Sequence, residues 1–363
     1  MKRALLILVG LTMFFSSCRW SSVPWWTDSQ SDKGEKIFRY DRLVDEFVSL
    51  NSFTSLQRMN TEYPAATRLL IEEVLAIGSV QEPRIEQRLR EYYLDSTMQV
   101  LLEDVHDEYA DLNQEEAEIS SVFEQVKEAD PSFRIPFMYT QISGLNQSIV
   151  VGDSLLGISL DKYLGRDYPL YRKYYHDYQR RVMDRSWLVS DALFYYLSHE
   201  YPLPDGKVHT LLDYIADYGK IHWVIAHCRN ISLEQEAGFE EERVLWYKEN
   251  ETEVWNWLMG HGVLTSADLT MIRLFMEPRG TTPYIGKDSP DQIGLWLGLQ
   301  IIDHYMKSHP RVTIGELLHE NDYGKILRES GIIRLQTKNN GTSTLFDTCH
   351  VGGYAPFTGF AGL

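Results

Sequence analysis

One apolar segment near the middle of the chain constrains the fold more than any other. Residues 186–200 read SWLVSDALFYYLSHE, a pattern typical of a buried α-helix. The segment ends on His199 and Glu200, and metallopeptidases place such a pair in the helical motif H-E-x-x-H, where two histidines bind zinc. Here the second histidine is missing, and Pro202 ends the helix before that position. The segment therefore predicts a core helix, a damaged active site, or both.

Helical patterns occupy most of the remaining sequence. A β-rich region interrupts them at residues 134–142 and 147–152, with a turn signal between the two, and residues 155–164 continue as a strand or form a short helix. We therefore expect an α+β fold, mainly α-helical, with a small mixed or antiparallel sheet. The main helices are predicted at residues 63–77, 83–108, 113–129, 171–184, 187–199, 210–228, 232–237, 239–260, 265–276, 290–306, 313–318 and 322–329.

The composition favours a well-packed globular protein. The chain has 363 residues, enough for one large domain or two modest ones, and its hydrophobic fraction of 44% is that of a chain with a core. Its formal net charge is -17, whereas a nucleic-acid partner requires a basic surface. We therefore expect no nucleic-acid partner.

The N-terminus predicts export and a lipid anchor. Lys2 and Arg3 precede an apolar run, Ala4 to Phe15, that is too short to cross a bilayer and has the length of a signal peptide. Small residues then lead directly into Cys18, as at a bacterial lipoprotein cleavage site. Cleavage would leave Cys18 as an acylated N-terminus bound to a membrane. An ordinary signal peptide or an uncleaved anchor is the alternative.

These signals divide the chain into four parts. We predict a lipoprotein signal peptide at residues 1–17, a lipid anchor with a flexible tether at 18–36, a globular domain at 37–336 and a poorly ordered tail at 337–363. Cys228 and Cys349 remain after cleavage, and an oxidising compartment would permit a disulfide between them. A buried thiol and a loose thiol are the alternative, so their pairing stays open.

The remaining polar motifs assign no catalytic residue, metal ligand or cofactor. His222 and His227 lie five apart, so they point about 140° away from each other on a helix. Asp153 lies near a predicted strand end, where an aspartate forms a turn or does acid–base work. Gly294 and Gly298 are one helical turn apart around Trp296, which fits either close helix packing or a ligand groove.

Three segments carry a resemblance to a known family. They are residues 151–165 (VGDSLLGISLDKYLG), 246–251 (WYKENE) and 288–302 (DSPDQIGLWLGLQII). In sequence, order and spacing they resemble GldB, the gliding-motility lipoprotein family of Bacteroidetes. The resemblance covers about residues 37–333. It implies a membrane-anchored lipoprotein of the cell envelope, at the outer membrane and facing the periplasm, with envelope proteins as partners.

The family is in turn similar to zincin-like metallopeptidases. The alignment that this similarity implies places Asp191 and Tyr195 where a zincin has its two histidines, and Ala192 where it has the catalytic glutamate. The third-ligand motif, glutamate then glycine, falls on Tyr218 and Gly219. A zinc site needs about three protein ligands, so the resemblance implies a degenerate zincin-like fold that binds no metal.

Three functions follow as hypotheses. The first is a non-catalytic interaction or assembly component, which makes an enzyme the less favoured class because H-E-x-x-H is absent. The second is a hydrolase or peptidase-like enzyme with an altered site that uses acids near Asp191 or Asp153. The third is a peptide- or glycan-binding lipoprotein with a groove formed by Asp153, Gly294, Trp296 and Gly298.

Acylation at Cys18 can be tested directly. We expect the wild-type chain to incorporate labelled palmitate and to enter the detergent phase on Triton X-114 partitioning, because acyl chains supply its membrane affinity. Cys18→Ala removes the acceptor sulfur, so the variant should carry no label and stay in the aqueous phase. The matched variant Ser17→Ala keeps the sulfur and should behave as wild type. Equal labelling of both variants would contradict the assignment.

Overall fold

Helices make up most of the described part of the chain. The computed structural model describes residues 37–282, 285–286 and 288–333, so Cys18, Cys349 and the predicted signal peptide, tether and tail lie outside the described residues. The helices are α1 (Tyr40–Leu50), α2 (Phe53–Thr61), α3 (Pro64–Arg68), α4 (Ile85–Tyr93), α5 (Ser96–Glu108), α6 (Asn113–Ala129), α7 (Pro169–Tyr174), α8 (Asp177–Arg180), α9 (Leu188–Glu200), α10 (Leu211–Arg229), α11 (Leu233–Glu236), α12 (Glu241–Gly260), α13 (Leu269–Met276), α14 (Ile293–Ser308), α15 (Ile314–His319) and α16 (Tyr323–Ser330).

The sheet is small and mixed. Its strands are β1 (Ile37–Phe38), β2 (Phe137–Gln141), β3 (Ile149–Gly152) and β4 (Leu155–Ser159), in the order β1-β2-β4-β3. β2 runs parallel to both β1 and β4, whereas β3 is antiparallel to β4. The predicted α+β class, mainly helical with a small sheet, is confirmed.

The strand order differs from the order along the chain, and a turn signal in the sequence cannot show this. The segments that become β2 and β3 are consecutive, yet they do not pair with each other, because β4 lies between them. All five residues of β4 are buried, as is typical of an inner strand with parallel pairing. The chain then leaves β4 through a short 3-10 helix, Leu160–Lys162, so both forms expected for residues 155–164 occur in succession.

The predicted long helix at residues 83–108 is two helices. α4 ends at Tyr93 and α5 begins at Ser96, with Asp95 between them as the N-cap of α5. Its carboxylate accepts a hydrogen bond from the backbone N–H of Thr97 at 2.8 Å. An aspartate that caps a new helix in this way favours a break in the preceding one.

The core is centred on direct contact between α10 and α14. A Cβ built on Gly219 of α10 would overlap the backbone carbonyl of Gly298 in α14, and one built on Gly298 would overlap the carbonyl oxygen of Ile215. The two helices therefore approach each other with backbone against backbone. Trp296 is buried beside this contact.

A buried ion pair extends this core toward the C-terminal helices. Lys220 of α10 is fully buried, and its ammonium lies 3.1 Å from the carboxylate of Asp217. The same ammonium donates to the carbonyl of Leu318 in α15 at 3.2 Å, and the hydroxyl of Tyr323 in α16 donates to Asp217 at 2.8 Å. Because an unpaired buried charge is costly, these contacts fix the two short helices against α10.

The opening segment of the sequence becomes α9, which packs against α6, α10 and the strands β3 and β4. Its buried face includes Leu193, Tyr196 and Leu197, and the Tyr196 hydroxyl donates to the carbonyl of Arg134 at 2.7 Å. His199 lies in the last turn and is exposed, with Glu200 next to it at the end of the helix.

A methyl group at Gly219 should separate α10 from α14. We expect Gly219→Ala to lower the free energy of unfolding by at least about 2 kcal/mol, because backbone atoms that cannot move aside occupy the Cβ position. Urea unfolding measures this change.

Gly260→Ala is the matched control. Gly260 ends α12, and no described residue beyond its own helical turn comes within 4 Å of its Cβ position, so alanine there should be neutral or stabilising by up to about 1 kcal/mol. Equal unfolding midpoints for the two variants would show that the contact between the helices is not tight.

Candidate functional site

A cavity of about 630 Å³ opens beside the first half of α9. Its wall is formed by the segment before α9, by α9 and α10, and by the chain around α11, the start of α12 and the α13–α14 connection. Two kinds of side chain give the wall its character. The aromatic residues are Tyr178, Trp187, Phe194, Tyr195 and Tyr218, and the basic residues are Arg166, Arg181, Arg229 and Arg243.

Three of the five residues that the alignment placed at a degenerate metal site lie in this wall. Asp191 and Tyr195 are one turn apart on α9, and Tyr218 reaches the cavity from α10. Ala192 is fully buried in the core instead, and Gly219 forms the α10–α14 contact. Neither His199 nor Glu200 lines the cavity, since both lie at the far end of α9.

Asp191 is the acid of the cavity. Its side chain is partly buried, and its Oδ2 accepts a hydrogen bond from the hydroxyl of Tyr163 at 2.8 Å. Burial raises the pKa of Asp191 to about 7; the hydrogen bond from Tyr163 opposes this shift, and the charge of Glu236 adds to it. Burial and the nearby Asp191 charge raise the pKa of Tyr195 to about 12. Asp191 therefore changes charge near neutral pH, while Tyr195 stays protonated there.

A buried carboxylate supports the wall behind Asp191. Glu236 is fully buried, and its Oε2 accepts hydrogen bonds from Ser190 at 3.0 Å and from Arg229 at 2.9 Å. The Nδ1 atom of His222 lies 3.3 Å from the other carboxylate oxygen. Arg229 also pairs with Glu118 of α6 at 2.9 Å. These contacts join α6, α9, α10 and α11 into one rigid wall.

Aromatic stacking fixes the neighbouring part of the wall. The ring of Phe194 stacks on the imidazole of His222 with a centroid distance of 4.5 Å and meets Tyr218 edge-on at 5.0 Å. Such contacts hold large side chains in one orientation, so the aromatic surface is preformed.

A second buried carboxylate organises the opposite part of the cavity. Asp291 is 1% exposed at its side chain, and Arg181 and Arg243 both donate to it, at 3.1 and 2.6 Å. The backbone N–H groups of Arg279 and Gly280 each donate to Oδ2 at 2.7 Å. The hydroxyl of Tyr247 donates to the Asp291 carbonyl. Sequence reasoning did not single out Asp291, Arg181, Arg243 or Glu236.

The comparison with protein families identifies the chain. The family model described as gliding motility protein GldB matches residues 27–332. The chain belongs to the GldB family. The resemblance predicted from the three sequence segments is confirmed, and the family is one of lipoproteins. No curated protein and no solved structure matches the chain, and the similarity to zincins stays a prediction.

The three GldB segments each contribute a residue that builds the cavity. Tyr163 from the first segment holds Asp191, and Tyr247 from the second holds the backbone of Asp291, which belongs to the third. The sequence signal that could have pointed to Asp291 is its place in the third segment of the resemblance. The three segments that carry the resemblance thus meet around one cavity.

The residues predicted as a groove do not form one. Asp153 lies exposed in the β3–β4 turn, whereas Trp296 and the glycines on either side of it are buried in α14. The Trp296 ring stacks on Tyr247 at 5.0 Å, and α10 occupies the space beside Gly298. The space beside Gly298 is thus filled by a helix, and the α14 residue that lines the cavity is Leu295.

Among residues 37–282, 285–286 and 288–333, no three His, Cys, Asp or Glu side chains are grouped so as to hold a metal ion. The thiol of Cys228 is buried and forms no disulfide within the described residues, and burial raises its pKa to about 11. In the same described part of the GldB-family chain, no helix is long and apolar enough to span a membrane.

The raised pKa of Asp191 predicts a pH-dependent cost to stability. Between about pH 4 and pH 7 the unfolded chain ionises this carboxyl while the folded chain keeps it protonated, so ionisation favours unfolding. Asn cannot ionise. We therefore expect the free energy of unfolding of Asp191→Asn, relative to wild type, to increase from pH 4 to pH 7 and to level off above pH 7. Urea unfolding at several pH values measures the difference.

Asp153→Asn serves as the control for this series, since it makes the same substitution in an exposed turn. The raised pKa of Asp191 would be contradicted if the stability of Asp191→Asn relative to wild type did not vary with pH, or varied no more than that of the control.

Proposed function

We propose that this GldB-family protein is a non-catalytic interaction component of the cell envelope. Acyl chains on Cys18 hold it at the outer membrane, facing the periplasm, and the cavity beside α9 receives part of an envelope protein. The family's association with gliding motility supports a role in the assembly or operation of a motility apparatus. The cavity replaces the predicted groove around Trp296 as the binding surface.

The observation that carries this proposal is the construction of the cavity wall. Its aromatic rings and guanidinium groups are the types of side chain that contribute most to binding. Buried carboxylates hold Arg181 and Arg229 in place, and stacking holds Phe194. Side chains that are already fixed lose little conformational freedom when a ligand binds. The zincin resemblance implies that Asp191 and Tyr195 stand where metal ligands would be. Both can hydrogen-bond to a ligand instead, and an asparagine at position 191 would keep that capacity.

A second candidate function is supported by Asp191 itself. A carboxyl group with a pKa of about 7 in an open cavity has the properties of a general acid or base at neutral pH. A hydrolase with an altered site therefore remains the alternative. The two hypotheses make opposite predictions for an isosteric change at Asp191.

One set of full-length variants separates these functions in the host cell. Gln235 is exposed at the cavity wall, so Gln235→Trp should obstruct the cavity without disturbing the core. We expect cells that carry this variant as their only copy to lose surface movement as fully as cells that lack the protein. Asp191→Asn keeps the shape of the side chain and should leave movement unchanged.

Gln81→Trp is the matched control, because Gln81 is equally exposed and lies outside the cavity. An acid–base role for Asp191 would instead make Asp191→Asn as defective as the deletion, since such groups contribute about 10²–10⁴ in rate. Normal movement of the Gln235→Trp cells would exclude the cavity as the working surface.

A further inference from the structure

Two arginines in the cavity wall share one buried carboxylate. Arg181 comes from the segment after α8 and Arg243 from the first turn of α12, and their Nη2 atoms donate to different oxygens of Asp291. The side chains of Arg181 and Arg243 are 19% and 11% exposed. We refer to these residues as the arginine pair.

The arginine pair has more positive charge than Asp291 neutralises. Two guanidinium groups face one carboxylate, and that carboxylate also accepts two backbone hydrogen bonds from residues 279 and 280. Glu240 lies 3.8 Å from Arg166, and Glu277 pairs with Arg279 at 3.0 Å, so neither of these acids depends on the arginine pair. The arginine pair therefore carries one unit of positive charge more than its own carboxylate neutralises.

The arginine pair also has a hydrogen-bond donor without an acceptor in the described part of the chain. The buried Nε of Arg243 meets no acceptor among the described residues. A guanidinium group has five N–H donors in a planar fork that matches the two oxygens of a carboxylate. An anionic group placed against the arginine pair would offset its extra positive charge.

The rest of the wall indicates what the anionic group is attached to. Apolar side chains line the cavity together with the aromatic rings; they are Val182, Ile231, Ala237, Met276, Pro278 and Leu295. The lining also has amide and carboxylate side chains, which bind sugars, but the apolar and aromatic side chains outnumber them and favour an apolar or aromatic group on the ligand. The protein's net charge of -17 also disfavours a ligand with more than one negative charge.

We propose that the arginine pair binds a carboxylate that stands next to an apolar or aromatic side chain, as at the C-terminus of a peptide. This inference rests on the proposed role of the cavity as a binding site and adds the chemistry of the ligand. The carboxylate would lie against Arg181 and Arg243, and the adjoining side chain against the aromatic wall.

Two probes that differ only in charge test the proposal. N-acetyl-L-phenylalanine has the carboxylate and the ring, and N-acetyl-L-phenylalaninamide has the ring alone. Titrations of the full-length chain in detergent, followed by ligand-observed NMR, give both dissociation constants. We expect the acid to bind at least about tenfold more tightly than the amide, since hydrogen bonds to charged groups account for such factors. The preference should shrink in 0.5 M salt.

Variants then test whether the arginine pair causes the tighter binding of the acid. Arg181→Gln leaves Asp291 with Arg243 and both backbone donors, so the fold should persist, which its unfolding midpoint verifies. We expect this variant to bind the acid no better than the amide. Arg172→Gln is the matched control, because Arg172 is exposed on α7 and lies outside the cavity. It should keep the full preference.

Several results would overturn the inference. Equal binding of acid and amide, no binding of either, or an equal loss in both arginine variants would each do so. Tighter binding of glucuronate than of N-acetyl-L-phenylalanine would replace the peptide with an acidic sugar. If Gln235→Trp abolishes surface movement while acid and amide bind equally, the cavity still works as a binding site and only the carboxylate specificity fails.

Discussion

The contact between Gly219 and Gly298 sets the geometry on which the rest of the structure depends. Without a Cβ on either residue, the backbones of α10 and α14 touch, and each helix then carries side chains to the cavity at a fixed position. Tyr218 and His222 reach it from α10, and Leu295 reaches it from α14. A wider separation of these helices would move the aromatic wall away from the arginine pair.

Buried charge is the second constraint, and it explains why the cavity wall is rigid. Asp291 and Glu236 lie out of contact with solvent, so each requires cationic partners and hydrogen bonds to offset the loss of hydration. The partners are arginines of the wall, which come from segments far apart in sequence. The same interactions that make these carboxylates tolerable in the core therefore fix the positions of the guanidinium groups in the cavity wall.

Much of the fold could be predicted because its signals are local. The helical period of residues 186–200 identified α9, and the β-rich composition of residues 134–152 located the sheet. The strand order could not be predicted, since the insertion of β4 between β2 and β3 depends on burial from both faces. The break at Asp95 was missed because an aspartate capping a new helix also fits the polar face of a long one. The glycines of α14 allowed two interpretations until the position of α10 was known.

The sequence by itself predicted the lipid anchor at Cys18, and it determined the family and the mainly helical α+β class, since these signals are encoded in local residue patterns. Only the tertiary structure decided where the site lies. It brought Asp191, Tyr195 and Tyr218 into one wall and set Arg181 and Arg243 against Asp291, more than 100 and nearly 50 positions apart in sequence. The segment that first suggested a metal site through His199 and Glu200 is a scaffold helix whose other end faces the cavity. A charge balance among distant residues is a property of the folded chain, because it exists only when packing removes those residues from water.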